Sequence, residues 1–147
     1  GAYVSTVPGS ACFDSATSFA IVRSGRLDLT MLGAFEVSAT GDLANWKIPG
    51  KFSPGAGGGI ELAQKARRVV VLTTQTDRAG NSKLKEACSL PLTARGCVTR
   101  IFTDMAVIDV TPAGFALVET ADGVSAAEVA KATDAPLALP DTAIPTF

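Results

Sequence analysis

The part of this chain best suited to chemistry is backbone rather than side chain. Residues 55–59 read GAGGG, so Gly55, Gly57, Gly58 and Gly59 stand directly before the amphipathic run IELAQKARR and the apolar run RVVVLTT. Glycine lets a ligand come close to backbone N–H groups and permits positive φ. A helix beginning at such a loop adds unpaired N–H groups and a partial positive charge. This arrangement can cradle a phosphate or hold a developing oxyanion. It can equally be a flexible connection with nothing bound. The familiar phosphate motifs fail residue by residue. A GxGxxG pattern starting at Gly55 needs glycine where Ile60 stands, and Gly50-Lys51 is followed by Phe52, so no Walker sequence exists.

Side-chain chemistry is narrow. The chain contains no histidine, and its three cysteines, Cys12, Cys88 and Cys97, form no CxxC pair. Cys/His zinc sites and Ser-His or Cys-His catalysis are therefore excluded within these 147 residues. The cysteines read as buried small hydrophobes in a reducing compartment, which favours the cytoplasm. Near the loop, Asn45 and Trp46 are candidates for shaping a ligand pocket, or for ordinary packing with the indole N–H satisfied. Lys51 is a candidate for meeting phosphates, or is simply solvated.

Thirteen basic residues against fourteen acidic ones give a formal charge of −1, with no basic stripe, which argues against nucleic acid. Apolar runs such as 69–72 are too short to span a bilayer, and no signal peptide opens the chain. The mean hydropathy of +0.30 is high for a soluble domain. A parallel sheet covered on both faces would explain it, as would a large surface buried against another chain.

The elements that must position the loop follow from local signals. GAYVSTVPG reads as a strand ending in a Pro-Gly turn. Asp14 can cap a helix over SATSFAIVR that Gly25 ends. Ser15, Ser18 and Phe19 then serve as helix start and core packing. RLDLTMLGAFEV reads as one buried strand interrupted at Gly33, and Gly41 pivots the turn in ATGDLANW. Pro49, Gly50 and Pro54 keep 47–54 irregular. The spacing of residues 60, 62, 63 and 66 predicts a short helix, and RVVVLTT a strand. SKLKEACS is at most a short helix. MAVIDVTPAGFALVET reads as a hairpin about its Thr-Pro-Ala-Gly turn. Ser125 and Glu128 form a capping box ahead of a helix to about Thr133. The expected fold is α/β, an open and largely parallel sheet flanked by helices, with a C-terminal hairpin and short helix. Residues 1–135 form the domain and 136–147 a proline-rich tail over a surface. The first strand lacks a preceding strand to pair with, so more polypeptide is expected, upstream or from a partner.

The motifs FDSATSF, LGAFEV, GDLANW, IPGK, GAGGGIEL and CSLPLT, followed by the run TDMAVIDVTPAGFALVETADGVS, occur in that order over residues 3 to about 134. In this the chain resembles the B subunit of family I coenzyme A transferases, the 3-oxoacid and 3-oxoadipate types above all. The resemblance implies transfer of CoA from an acyl-CoA, succinyl- or acetyl-CoA, to a short-chain 3-oxo acid. CoA is then a substrate and no cofactor is needed. A catalytic glutamate forms an acyl-glutamyl anhydride and then a glutamyl-CoA thioester. Gly58 and Gly59 match the positions whose amides line the oxyanion site. Gly55, Gly57, Asn45 and Lys51 fall on the CoA side.

One departure is informative. The family carries its glutamate in a Ser-Glu-Asn-Gly motif that this sequence lacks. Of the glutamates present, Glu36 reads as structural, at a place where relatives often carry glutamine. Glu61 and Glu86 read as helix-surface charges, Glu119 follows a hairpin strand, and Glu128 caps. The resemblance thus implies the C-terminal portion of a B subunit, acting with an A subunit and with the remainder of its own polypeptide, and inactive alone. Two other readings stay open: a non-catalytic acyl-CoA-binding or scaffolding module, and a sugar-phosphate isomerase of related fold. The lack of an acid/base pair around the loop argues against the isomerase.

Overall fold

The computed structural model describes residues 5–53 and 55–147. In chain order it contains α1 (Ser15–Arg23), β1 (Thr30–Leu32), β2 (Glu36–Ser38), β3 (Leu43–Ala44), α2 (Gly59–Lys65), β4 (Val69–Leu72), β5 (Leu84–Lys85), β6 (Val98–Phe102), β7 (Ala106–Thr111), β8 (Gly114–Thr120), α3 (Ala126–Lys131) and β9 (Leu137–Ala138). The strands form two sheets, one of six strands in the order β1-β4-β6-β7-β8-β9 and one of three in the order β3-β2-β5. In the larger sheet β1·β4, β4·β6 and β8·β9 run parallel, while β6·β7 and β7·β8 are antiparallel. The α/β class expected from sequence holds, with parallel pairing carrying most of the ladders.

Local signals act where they were read. Asp14 accepts from the Thr17 N–H at 2.7 Å and so starts α1, and Gly25 follows its end with φ +70°. The capping box of Ser125 and Glu128 is complete in α3. β7 and β8 pair from Ala106↔Thr120 to Thr111↔Gly114 as the hairpin.

Four expectations change. RLDLTMLGAFEV is two strands in different sheets, because the chain leaves the large sheet after Leu32 and enters the small one at Glu36. SKLKEACS holds β5 instead of a helix, since Leu84 pairs beside Val37 and is fully buried there. Residues 5–7 form no strand, although Ser10 N–H closes the Pro-Gly turn onto the Val7 carbonyl; residues 1–4 and Pro54 lie outside the described residues. The tail is hydrogen-bonded rather than merely draped. β9 pairs with β8, and Thr120 exchanges bonds with the Pro145 carbonyl and the Phe147 N–H.

The two sheets share one core. Val37, Leu43 and Leu84 from the small sheet join Val71, Ile101 and Ile108 from the large one, all completely buried. Each such side chain contributes about 1.5–3 kcal/mol by leaving water. The small sheet, with strands of two or three residues, is thus stabilised by burial more than by its ladder. Gly41 closes the turn between β2 and β3 at φ +83°, where a Cβ would meet the Val98 carbonyl oxygen at 2.9 Å. No other residue type fits there.

The opposite face of the large sheet is uncovered at one end. Met31 pairs beside Val70, and Leu72 beside Phe102. Met31, Leu72 and Phe102 are 63%, 49% and 38% exposed. Among the described residues β1 is the terminal strand of that sheet. Among the described residues, no helix is long and apolar enough to cross a membrane, and no group of three potential metal ligands forms.

Candidate functional site

The glycine loop is held between two elements that are distant in sequence. Gly58 is the N-cap of α2 in ordinary helical conformation, φ −79°. A Cβ there would fall 2.6 Å from Phe19 Cε1 and closer still to Cζ. A side chain at this point would have to displace the tip of the half-buried Phe19 ring of α1, although the dihedrals allow one. Arg23, one turn on, stacks over the same ring at 5.8 Å and donates to Glu61 Oε1 of α2 at 2.5 Å. So α1 grips α2 through a ring and an ion pair. Glu61, read from sequence as a helix-surface charge, does stand on α2, where it is paired with Arg23. Its second oxygen is buried without a partner among the described residues.

On the other side stands Asn45. Its Nδ2 donates to the Gly33 carbonyl at 3.0 Å, its Oδ1 accepts from Thr93 Oγ1 at 2.6 Å, and its own N–H donates to Thr93 Oγ1 at 3.1 Å. The side-chain amide is oriented with no choice left, and it lies about where a Cβ on Gly59 would point, at 3.8 Å. Trp46 is packed with its N–H donated to the Leu92 carbonyl at 3.2 Å.

The predicted site residues therefore divide. Gly58, Gly59 and Asn45 come together. The Gly59 N–H is engaged in a turn with the Ala56 carbonyl at 3.2 Å. Among the described residues the Gly58 N–H has no acceptor. Gly55 and Gly57 take positive φ, 106° and 52°, on the open side of the loop. Lys51 lies apart from these amides, on the rim of a separate cleft with Phe35 and Ile48. Sequence reasoning did not find Phe19, Arg23 or Thr93 as supports. Their roles depend on contacts 38 to 48 residues apart in the chain.

Glu36 sits in β2, 8% exposed. Its Oε2 accepts from the Ser89 and Leu90 N–H groups at 2.7 and 2.9 Å, and its Oε1 from Ser89 Oγ at 2.7 Å. It anchors the SLPLT segment, which in turn supplies Leu92 to Trp46 and Thr93 to Asn45. That is a structural role.

The cysteines are all free, but they are not alike. Cys12 is exposed, against the expectation of a buried thiol, whereas Cys88 and Cys97 are half-buried. Burial pushes the Cys88 thiol up to about 12, with the Glu36 and Asp42 charges adding to it, and the Cys97 thiol up to about 11. Since the thiolate is the reactive form, both stay protonated near neutral pH. Iodoacetamide labelling at pH 8, followed by peptide mass mapping, is expected to modify Cys12 first and leave Cys88 and Cys97 largely untouched until the chain is unfolded. Equal rates at all three would contradict this geometry.

Residues 1–132 match the family described as Coenzyme A transferase. The beta subunit of a probable coenzyme A transferase of Bacillus subtilis is 51% identical over 132 residues, covering 90% of this chain and 61% of its own length. The B subunit of the succinyl-CoA:3-ketoacid coenzyme A transferase of Helicobacter pylori is 45% identical, covering 90% of this chain and 64% of its own. The chain thus spans under two thirds of the length of the curated relatives it matches. Among solved structures, an acyl-CoA transferase of E. coli O157:H7 (YdiF), in a thioester complex with CoA, superposes with TM-score 0.82 at 21% identity. It covers all of this chain and 33% of its own, a likeness of fold. The decarboxylase AibA/AibB superposes with TM-score 0.76 at 25% identity, over 93% of this chain and 58% of its own.

Proposed function

The chain belongs to the coenzyme A transferase family, and on that premise we propose that it is part of a CoA-transferase B subunit. The enzyme would move CoA between an acyl-CoA, succinyl- or acetyl-CoA, and a short-chain 3-oxo acid. Its catalytic glutamate lies outside these residues, and an A subunit together with the remainder of the B polypeptide completes the site. In this reading the glutamate oxygen attacks the thioester carbonyl. The C–S bond breaks, CoA leaves as thiolate, and an acyl-glutamyl anhydride forms. The thiolate then attacks the glutamyl carbonyl and expels the first acid as its carboxylate. The acceptor acid reverses the sequence. CoA is consumed and regenerated as substrate, so no further cofactor is required.

The observation that carries this is the N–H of Gly58, free among the described residues and fixed by Phe19 beside the locked Asn45 amide. A donor held still before the reaction stabilises a developing oxyanion without reorganising. The Gly59 amide would join it by giving up its 3.2 Å bond to Ala56. We place the enzyme in the cytoplasm, supported by three cysteines that are all unpaired.

The test is an assay of this chain alone, and then of the chain assembled with the A subunit and the remainder of the B polypeptide. Transfer of CoA from succinyl-CoA to acetoacetate is expected only from the assembly. Transfer by the chain alone would overturn the subunit reading. An assembly that released carbon dioxide, with no transfer, would put it with the decarboxylase instead.

A further inference from the structure

A second concavity, of about 360 Å³, opens between β2, β5 and the segment 47–53. Its lining combines the apolar side chains of Phe35, Ile48 and Leu90 with the cations Lys51, Lys83 and Lys85. The charge balance of this lining is uneven. Lys85 is neutralised by Asp134 at 2.9 Å. Lys83 is half-buried, and its ammonium donates only to the neutral hydroxyls of Thr73 and Thr74, at 3.0 and 2.9 Å. Among the described residues, neither Lys83 nor Lys51 forms an ion pair.

Two carboxylates also line the cleft, and both are occupied with donors of their own. Glu36 accepts from Ser89 and Leu90. Asp77 accepts from the Ala79 and Asn81 N–H groups and from Asn81 Nδ2, at 2.8 to 3.0 Å. The Asn81 bonds hold its carboxyl below the usual carboxylate range. The cleft therefore contains a half-buried ammonium with one donor unspent and, among the described residues, no carboxylate within ion-pair distance. A cation removed from water without a partner is costly, and an anion supplied from outside relieves that cost.

We propose that this cleft is a binding subsite for an organic oxyanion, seated on Lys83 and Lys51 with its apolar portion against Phe35 and Ile48. The choice of ligands rests on the CoA-transferase reading. Both substrates of such an enzyme carry the required chemistry, CoA as phosphates on a nucleoside and the acid as a carboxylate on a short chain. A hydrogen-bonded stretch of chain links one rim of the cleft to the glycine loop. Ile48 and Lys51 lead through Ser53, whose hydroxyl donates to the Trp46 carbonyl and accepts from the Gly55 N–H.

The test is a titration of the isotope-labelled 147-residue chain, followed by amide chemical shifts, with adenosine 3′,5′-bisphosphate in one arm and succinate in the other. Saturable shifts at Phe35, Lys83 and Leu90 are expected in one arm, and that arm identifies the source of the anion. Lys83→Met keeps the stem and removes the charge, and should weaken binding about tenfold, the value of one charged hydrogen bond. Lys65→Ala, on α2 and away from the cleft, should leave it unchanged. No saturation in either arm up to tens of millimolar overturns the subsite. So does binding that Lys83→Met leaves intact in a chain whose spectrum shows it folded. Shifts in the cleft without CoA transfer by the completed assembly would keep the subsite and remove the enzymatic reading. Normal transfer with no binding in the cleft would do the reverse.

Discussion

Gly58→Ala is expected to lower folding stability by about 1–3 kcal/mol, the usual cost of overfilling a packed contact. In the assembled enzyme it should reduce turnover by about a hundredfold or more, as loss or displacement of an oxyanion donor does. The backbone argument does not apply here, since φ at Gly58 is −79° and alanine adopts that angle freely. The cost is steric, from a methyl group set into the Phe19 ring. Two controls follow. Gly59→Ala places its Cβ in ordinary contact with Asn45 and should gain up to about 1 kcal/mol from helix propensity. Phe19→Leu combined with Gly58→Ala should recover much of the lost stability, because the two changes meet at one contact. Urea unfolding of the four chains measures this. A Gly58→Ala chain as stable as the parent would show that the loop does not rest on Phe19.

Glu36 separates its two conceivable roles through a single pair of substitutions. Glu36→Ala leaves the Ser89 and Leu90 N–H groups without their acceptor and should cost about 2–3 kcal/mol. Glu36→Gln should stay within about 1 kcal/mol of the parent. The reason is geometric. Both backbone donors converge on one carboxylate oxygen, Oε2, which a glutamine carbonyl can replace. Among the described residues the other oxygen meets only the Ser89 hydroxyl. A hydroxyl can turn to accept from an amide as readily as it donates to a carboxylate. Turnover of the completed enzyme should therefore survive Glu36→Gln. A folded Glu36→Gln enzyme without transfer would make Glu36 the nucleophile, and would return the chemistry to this chain.

The parts of the fold that were readable in the sequence are those whose cause is local. Asp14 three residues before Thr17, Ser125 three before Glu128, and Thr-Pro-Ala-Gly between two apolar runs each determine an end or a turn through neighbours in the chain. β5 carries no such mark. Leu84–Lys85 is two residues long and becomes a strand only because Leu84 fills the core beside Val37. β6, in VTRIF, passed unread because an arginine interrupts its apolar pattern; that arginine pairs across the ladder with Asp109 of β7. The continuous run through Gly33 concealed a change of sheet, since hydrophobicity reports burial without saying against what. At the site, glycine spacing pointed to the loop, and family likeness to Gly58, Gly59 and Asn45. The ring, the ion pair and the threonine that hold them are long-range contacts with no periodicity to betray them.

The bare end of the large sheet has a colloidal consequence. Two copies of this chain meeting there offer each other hydrophobic area from Met31, Leu72 and Phe102, beside β1, the terminal strand among the described residues. Exposed edges and apolar patches of this kind favour self-association. The usual counterweight is mutual repulsion, and a formal charge of −1 supplies almost none. With a pI near 5.3, mild acid removes what little there is. Its solubility is thus least secure between pH 5 and neutrality, and charge added to the far side of the molecule would keep it dispersed while leaving the loop, the cleft and the bare face as they are.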